Sequence, residues 1–361
     1  MFYLGLSQYR LKNYSSAASY FEKYLTAGFQ NSIEESYRLK SMYWLWRSQQ
    51  KLSLPTAEKM ANQIIEEFPL TYYGLRAKIE LTPNDPIIKP WSGDASKIKK
   101  WMTPRENKIW SKIKILLRAG WFFEAQEELK QFQDPASSDE NILYAKWSFL
   151  AFDHYDATLF VRSAWNLNKE YLSEPFVRLV YPVEFKNSVT KEAEKRGIED
   201  NLIYSLIKQE SSFRVKAVSE AKAVGLMQIV SITAKDVQRD LKLKNINFPE
   251  DLNDPQTNVM FGTYYLKKMM RAHDGNVPFA LAAYNAGIGN MRRWTKVREE
   301  FKDFGKFRST NPDDELWIDE LPWEETSHYV KAILRNLILY QWFDNKFAGL
   351  GQERPFWEFK K

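Results

Sequence analysis

Cysteine is absent from the 361 residues, and histidine occurs three times. The first absence removes disulfides, thiolate nucleophiles and cysteine metal ligands, and says little about compartment. The second leaves His154, His273 and His328 widely separated, so zinc chemistry has few ligand sets to draw on and no resident metal or other cofactor is expected. No Gly-x-Ser-x-Gly elbow is present to support a serine nucleophile. No window of about 20 nearly uninterrupted apolar residues occurs, as a membrane span requires. A basic leader, apolar core and small-residue cleavage site are also missing, because Met1-Phe2-Tyr3-Leu4-Gly5 runs straight into an amphipathic segment. That leaves a cytoplasmic protein or one whose export signal lies outside this sequence. The net charge of +6 is spread among acids such as Glu299 and Glu300, without the dense basic block of a nucleic-acid footprint. Nucleic acid is therefore not an expected partner, whereas ordinary solubility or an anionic cell-wall polymer each accommodates the charge.

Hydrophobic residues make up 44% and charged residues 27% of the chain, which places it among folded proteins rather than disordered ones. The length exceeds what one hydrophobic core usually fills, so two or more units are expected. Strictly alternating β-branched runs are nearly absent and helical spacing recurs throughout, so the fold class is mainly all-α.

The first half reads as stacked helical hairpins. Leu4, Gly5, Tyr14, Ala17, Phe21 and Leu25 provide the small and large contacts of two antiparallel helices joined at Lys12-Asn13-Tyr14, with Gly5 and Ala17 allowing close approach. Further helices fall at 35–49 and 54–67, closed by Phe68-Pro69, and another opens at Tyr72-Tyr73. Residues 107–119 and 121–132 pair across Gly120, with Ala125 at a close contact, and 138–152 and 155–166 pair across Asp153-His154. This is a degenerate tetratricopeptide-type solenoid, whose single hairpins need neighbours to bury their apolar faces. Nothing caps the first hairpin, so a trimmed N-terminus is expected. A solenoid surface suits guiding a long polymer, contacting a protein, or scaffolding alone, and all three stay open here.

The pattern breaks near Tyr171. The expected division is a helical-repeat domain over 1–170, a linker over 171–184 containing Pro175 and Tyr181-Pro182, and a second domain over 185–361. A helix from Phe185 to Arg196 ends at Gly197, and the next spans 200–210. Leu202, Ile203, Leu206, Ile207 and Glu210 lie three or four apart, so Glu210 shares the apolar side. A carboxylate is costly to desolvate there, and burial would favour the protonated form that a general acid needs. Periodicity does not fix the depth of the helix end, and a frayed last turn would leave the same carboxylate in water.

Gly225-Leu226-Met227-Gln228 follows a loop of small residues. Gly225 permits close backbone approach, Met227 suits a sugar cleft or a core, and Gln228 is a neutral donor and acceptor for amides and hydroxyls. Helices are expected at 256–270 and 278–286. The second ends in Ala282-Ala283-Tyr284-Asn285-Ala286-Gly287, where Tyr284 and Asn285 are placed either to present a hydroxyl and an amide or to cap the helix. Leu321-Pro322-Trp323-Glu324-Glu325-Thr326 precedes a final helix expected from Ser327 to Tyr340.

Taken in order, Ile207-Lys208-Gln209-Glu210-Ser211-Ser212-Phe213, Gly225-Leu226-Met227-Gln228, Asp254-Pro255 to Gly262-Thr263-Tyr264-Tyr265-Leu266, and Ala282-Ala283-Tyr284-Asn285-Ala286-Gly287 resemble the catalytic domain of soluble lytic transglycosylases. The resemblance runs from about Tyr181 onward; the first half is more loosely similar to that family's helical superhelix. It implies a TPR-like superhelix followed by a lysozyme-like domain acting on peptidoglycan in the periplasm or cell envelope. It further implies that Glu210, followed by Ser211, is the catalytic acid/base. Gly225, Met227 and Gln228 would line the cleft, Tyr284 and Asn285 would lie near the reacting sugar, and Glu325 would be the second cleft glutamate. Asp319-Glu320 and the long charged stretch 296–316 depart from the family pattern near Glu325. Glycosidases usually carry two carboxylates, about 5–5.5 Å or about 6.5–9.5 Å apart, and no second acid stands out near Glu210. The implied reaction needs only one, with the sugar's N-acetyl group assisting and the 6-hydroxyl closing a 1,6-anhydro ring. A goose-type muramidase using water, or a repeat protein that binds peptidoglycan without cleaving it, are the alternatives.

Overall fold

The computed structural model describes residues 1–27, 37–93, 103–131, 135–298, 301 and 315–345. Their helices are α1 (Phe2–Arg10), α2 (Tyr14–Thr26), α3 (Arg38–Lys51), α4 (Thr56–Glu67), α5 (Tyr72–Leu81), α6 (Pro104–Arg118), α7 (Phe122–Leu129), α8 (Ser138–Leu150) and α9 (His154–Leu167). There follow α10 (Glu174–Val177), α11 (Lys186–Arg196), α12 (Asp200–Glu210), α13 (Ser231–Leu241), α14 (Pro255–Ala272), α15 (Val277–Ala286), α16 (Ile288–Lys296), α17 (Leu316–Asp319) and α18 (Glu324–Phe343). Extended pairing among the described residues is limited to isolated bridges of Val224 with Val218 and Ile229. The all-α expectation holds. Most of the stretch 296–316 and the end of the 121–132 helix lie outside the described residues.

Local chemistry explains many of the helix ends. Thr103 and Glu106 form a reciprocal capping box at α6 with Pro104 in the first turn, so two amide donors find partners and the fixed proline φ fits the start. Ser137, Asp153 and Asn276 each accept an amide hydrogen bond at the start of α8, α9 and α15, as N-caps do. Gly197 closes α11 in the left-handed region at φ 57°. Thr71 caps α5 by accepting from the Gly74 amide. A Cβ on Gly74 would lie 1.9 Å from the Phe68 carbonyl oxygen, so the turn after Phe68-Pro69 closes only around a glycine there.

The first hairpin packs through Gly5, where a Cβ would meet the Phe21 ring at 2.6 Å. Leu4, expected in that contact, is exposed instead. The buried stripe of α1 is Phe2, Gly5, Leu6 and Tyr9, an i, i+3, i+4, i+7 set that turns Leu4 outward.

Contacts divide the chain into two compact units. One comprises Met1–Ile87 with Tyr265–Lys361, the other Ile88–Tyr264, so each takes helices from both halves of the sequence. In the first unit α1 to α5 pack as successive antiparallel neighbours, and α18 lies against α5 and α15. Beneath them is a buried polar cluster. Asp319 accepts from Trp44 Nε1 at 2.9 Å, from Lys331 Nζ at 2.7 Å and from the Tyr73 hydroxyl, with Lys40 Nζ 4.0 Å away. Burial alone would raise the Asp319 pKa, but Lys331 and Lys40 hold it below the usual carboxylate range. Glu315 is bonded by Tyr72 and pairs with Arg76 at 3.1 Å, and Arg47 spans both oxygens of Glu80 at 2.7 and 2.8 Å.

In the second unit Ile109, Ile113, Ala125 and Ala151 form a compact core between the hairpins, and Trp110 stacks on Trp147 with centroids 4.6 Å apart. Ala125 is fully buried, as its spacing predicted. The helices α11 and α12 then pack as a pair.

Candidate active site

Glu210 is the last residue of α12, a helix whose Leu202, Ile203, Leu206 and Ile207 are entirely buried. Glu210 itself is half-buried. The turn beyond it is held rather than frayed. Ser211 Oγ donates to the Leu226 carbonyl at 2.9 Å, and Ser212 and Phe213 follow with φ of 49° and 66°. Two consecutive non-glycine residues in the left-handed region store strain that only a firmly packed neighbourhood maintains. Phe213 supplies that packing: it is 3% exposed and lies edge-on to His154 at 5.8 Å. Thus Ser211, for which the sequence suggests a substrate-binding role beside Glu210, is buried and ties the end of α12 to the loop at 225–228.

That loop is built around a side chain the sequence reading passed over. Asn258, fully buried on α14, accepts from the Met227 amide at 2.8 Å. Its Nδ2 donates to the Val224 and Leu252 carbonyls, each at 2.8 Å. Gly225 has φ 81°, and a Cβ there would lie 2.1 Å from Asn258 Nδ2. Glycine is required on both counts. Met227 is 0% exposed, and a Cβ on Gly262 would come within 2.4 Å of its sulfur. The cleft-lining expectation for its side chain gives way to a core position, since the gap left by Gly262 accepts the flexible thioether. Gln228 uses its amide nitrogen on the Ala217 and Gly225 carbonyls at 3.1 and 2.8 Å. With both hydrogens engaged, its amide oxygen is the part suited to a ligand donor.

The remaining sequence-predicted residues lie in the other unit and form their own group. Tyr284 is 9% exposed and packs its ring 5.0 Å from that of Tyr265. Asn285 Oδ1 accepts from Thr326 Oγ1 at 2.6 Å, which turns its Nδ2 toward Glu325 Oε1 at 3.4 Å. Glu325 is exposed and lies in the first turn of α18, which begins at Glu324 rather than Ser327. The acidic pair complements the positive end of the helix dipole, so it starts the helix rather than preceding it. Beside it, Lys40 of α3 bonds Glu324, to which the Tyr37 hydroxyl also donates at 3.2 Å. Burial would raise the Glu324 pKa, and Lys40 more than offsets this to hold it low.

Asn258, Thr326 and Lys40 were the residues missed. Asn258 had a signal, a polar residue at i−4 from Gly262, followed by the apolar Val259, Met260 and Phe261. Thr326 and Lys40 had none, because their partners are remote in sequence. Among the described residues no group of three or more His, Asp or Glu is placed to hold a metal ion. No helix among them is long and apolar enough to cross a membrane.

Residues 187–306 match the family model described as the transglycosylase SLT domain. The chain is 29% identical over 163 residues to the soluble lytic murein transglycosylase of Salmonella typhimurium, covering 45% of this chain and 24% of that protein. It is 37% identical over 116 residues to the membrane-bound lytic murein transglycosylase C of Yersinia pestis, covering 29% of this chain and 32% of that one. Among solved structures, an inactive mutant of the lytic transglycosylase Slt from Pseudomonas aeruginosa superposes with a TM-score of 0.71 at 22% identity. The 70 kDa soluble lytic transglycosylase of Escherichia coli does so with 0.69 at 19%. In both cases 98% of this chain is covered and 54% of the other, so the chain spans about half the length of those proteins. The resemblance to soluble lytic transglycosylases holds, and so does the fold class of helical superhelix and lysozyme-like domain.

Proposed function

We propose that this chain is a lytic transglycosylase acting on peptidoglycan in the periplasm or cell envelope, with Glu210 as its acid and base. One observation carries the reading: a half-buried carboxylate at the end of an apolar helix, pinned by Ser211 to the Gly225–Gln228 loop, inside the segment that matches the SLT domain. The anchored backbone gives the carboxyl a fixed position, and preorganised groups contribute most to catalysis. The curated relatives are named as murein transglycosylases, one soluble and one membrane-bound, which favours the envelope as the site of action.

In the proposed reaction the Glu210 carboxyl gives its proton to the oxygen linking N-acetylmuramic acid to N-acetylglucosamine. The C1–O bond breaks with its electron pair going to that oxygen, while the acetamido oxygen of the muramic sugar supports the positive charge at C1. The 6-hydroxyl oxygen then bonds to C1 and its proton returns to Glu210. The products are a free 4-hydroxyl on N-acetylglucosamine and a 1,6-anhydro-N-acetylmuramic end, and water is not consumed. Glu210 works as acid in one step and base in the next.

The other residues take supporting roles. Ser211 and Gly225 hold Glu210 and its loop in register, with Met227 filling the core beneath, and Gln228 offers an amide oxygen to a sugar N–H or hydroxyl. Tyr284 and the Asn285–Glu325 pair are assigned to substrate binding, with Glu325 as a polar contact rather than a nucleophile.

Purified murein sacculi digested with the wild-type chain and with Glu210→Gln test this. The variant is expected to bind glycan and lose cleavage by at least ~100-fold, the usual contribution of general acid–base catalysis. Mass spectra of the wild-type products are expected to carry terminal anhydro sugars. Reducing ends with added water would instead establish a goose-type hydrolase, and full activity of Glu210→Gln would remove Glu210 from the chemistry.

A further inference from the structure

The repeat helices of the second unit leave three aromatic rings largely in solvent, of which Phe152 also packs beside Phe122 and His154. Phe123 at the start of α7 and Tyr155 at the start of α9 are 60% and 39% exposed, and Phe152 in the turn between α8 and α9 is 43% exposed. Phe152 has φ 59°, a left-handed conformation that costs a bulky residue about 1–2 kcal/mol and that glycine or asparagine would adopt more readily. Its ring is held 4.5 Å from Phe122.

Two cations from the segment just after Glu210 lie over two of these rings. The Arg214 guanidinium carbon is 4.4 Å from the Tyr155 ring centroid, and Lys216 Nζ is 4.9 Å from that of Phe123. Arg214 Nε also donates to the Ser211 carbonyl at 3.2 Å, so the Tyr155 ring is linked through Arg214 to the residue beside Glu210. Arg214 is close enough to Asp153 to favour that acid's charged form, although burial dominates and raises the Asp153 pKa. Both cations are exposed, and neither is in an ion pair among the described residues.

From this arrangement we propose that Phe123, Phe152 and Tyr155, with Arg214 and Lys216, form an accessory platform for an anionic glycan strand, away from the reacting bond. Pyranose rings present C–H faces that pack on exposed aromatic rings, while their hydroxyls stay in water. A strand bearing lactyl carboxylates adds charges at intervals that Arg214 and Lys216 satisfy. A purely apolar partner would leave both cations desolvated beside it, which is costly. The platform gives the repeat layer the polymer-guiding role that a solenoid surface allows. The choice of murein as the strand rests on the proposed function above.

Binding, not cleavage, is the measurement, made on Glu210→Gln so that strands stay intact. The probes are peptide-free murein strands with their lactyl carboxylates, and neutral chitin oligosaccharides of the same length. Phe123→Ala is expected to weaken both by roughly five- to tenfold, as the loss of one stacking ring does. Lys216→Gln is expected to weaken murein alone, roughly two- to fivefold, with the difference vanishing at high salt. Both side chains are exposed, so unchanged melting temperatures confirm intact folds. Unaltered affinity in both variants, or equal loss of murein and chitin binding in Lys216→Gln, would overturn the platform. Neither outcome touches the assignment of Glu210, which stands or falls on cleavage products.

Discussion

His154 shows how a single side chain ties the repeat helices to the helix that ends in Glu210. It is 2% exposed, ringed by Phe149, Phe152 and Phe213 at 5.0, 5.9 and 5.8 Å. Neither ring nitrogen has a hydrogen-bond partner among the described residues. Burial, with Lys208 adding to it, pushes its pKa down to about 4. The charged groups facing it are Lys208 on α12 and Glu184, whose Oε1 is 3.7 Å from Nε2. Burial raises the Glu184 pKa, so that acid offers only part of a counter-charge as the pH falls. The unfolded chain therefore binds a proton at His154 that the folded chain refuses between about pH 6.5 and 4. Stability contributed by the neutral ring is present above that window and is lost as pH falls through it. From pH 7 to pH 5 the loss is about 2 kcal/mol by linkage. Urea titrations at the two pH values are expected to show that loss in the wild type and its absence in His154→Phe. Parallel pH profiles would exclude His154 as the group responsible. The sequence announced the Glu210 helix because five residues repeat at helical spacing, but it offered nothing for His154. That residue matters through Phe213, which is remote in the chain, and ring contacts of this kind follow no local period.

At the scale of elements, α18 illustrates what pattern can and cannot reveal. Its apolar spacing is legible, yet that spacing predicts a start at Ser327, three residues after the observed one. Trp323 is extended and Glu324 opens the helix, a position that its ion pair with Lys40 reinforces. Asp319 and Glu320, visible in the sequence only as a departure from the family pattern, belong to this same framework. Asp319 lies 275 residues from its donor Trp44, a separation for which one sequence contains no signal. The cluster is buried on all sides, with Asp319 at 4%, Lys40 at 2% and Lys331 at 5% exposure. Removing the anion would take away the carboxylate that Lys331 bonds and leave Lys40 with Glu324 alone, and burial already lowers the Lys331 pKa. Asp319→Ala is therefore expected to destabilise the first unit by about 3–5 kcal/mol, the usual result of deleting one partner of a buried pair. Asp319→Asn, which keeps acceptor geometry, is expected to lose less. Denaturant midpoints for the two variants decide this, and equal or negligible losses would show that the charge is not what holds the cluster.

For the whole molecule, the sequence suggested a boundary at 171–184 with a catalytic half beyond it. Grouped by contacts, the compact units meet at residues 87/88 and 264/265. The unit that contains Tyr284, Asn285 and Glu325 is completed by Met1–Ile87. Those residues supply Lys40, Trp44 and Tyr73 to Asp319, Tyr72 and Arg76 to Glu315, and Tyr37 with Lys40 to Glu324. A chain begun at Phe185 would keep every residue of the SLT match while exposing the side of α18 that lies against α5, and the Asp319 cluster. Its burial of Lys331 and Asp319 would fail, because the Tyr73 hydroxyl, the Trp44 indole N–H and the Lys40 cation that complete their shell would be gone. The expectation is that residues 185–361 alone aggregate or melt without a cooperative transition, whereas the full chain unfolds cooperatively. Supplying residues 1–87 as a separate chain is not expected to restore the second unit, since helices of 88–184 are still missing from it. A cooperative, soluble 185–361 with wild-type cleavage would show that the N-terminal helices are dispensable. It would also move the polar cluster from a requirement for folding to a contact made after folding is complete. The outcome bears on Glu325, because its helix turn carries Glu324, the residue that Lys40 grips from the N-terminal side of the sequence.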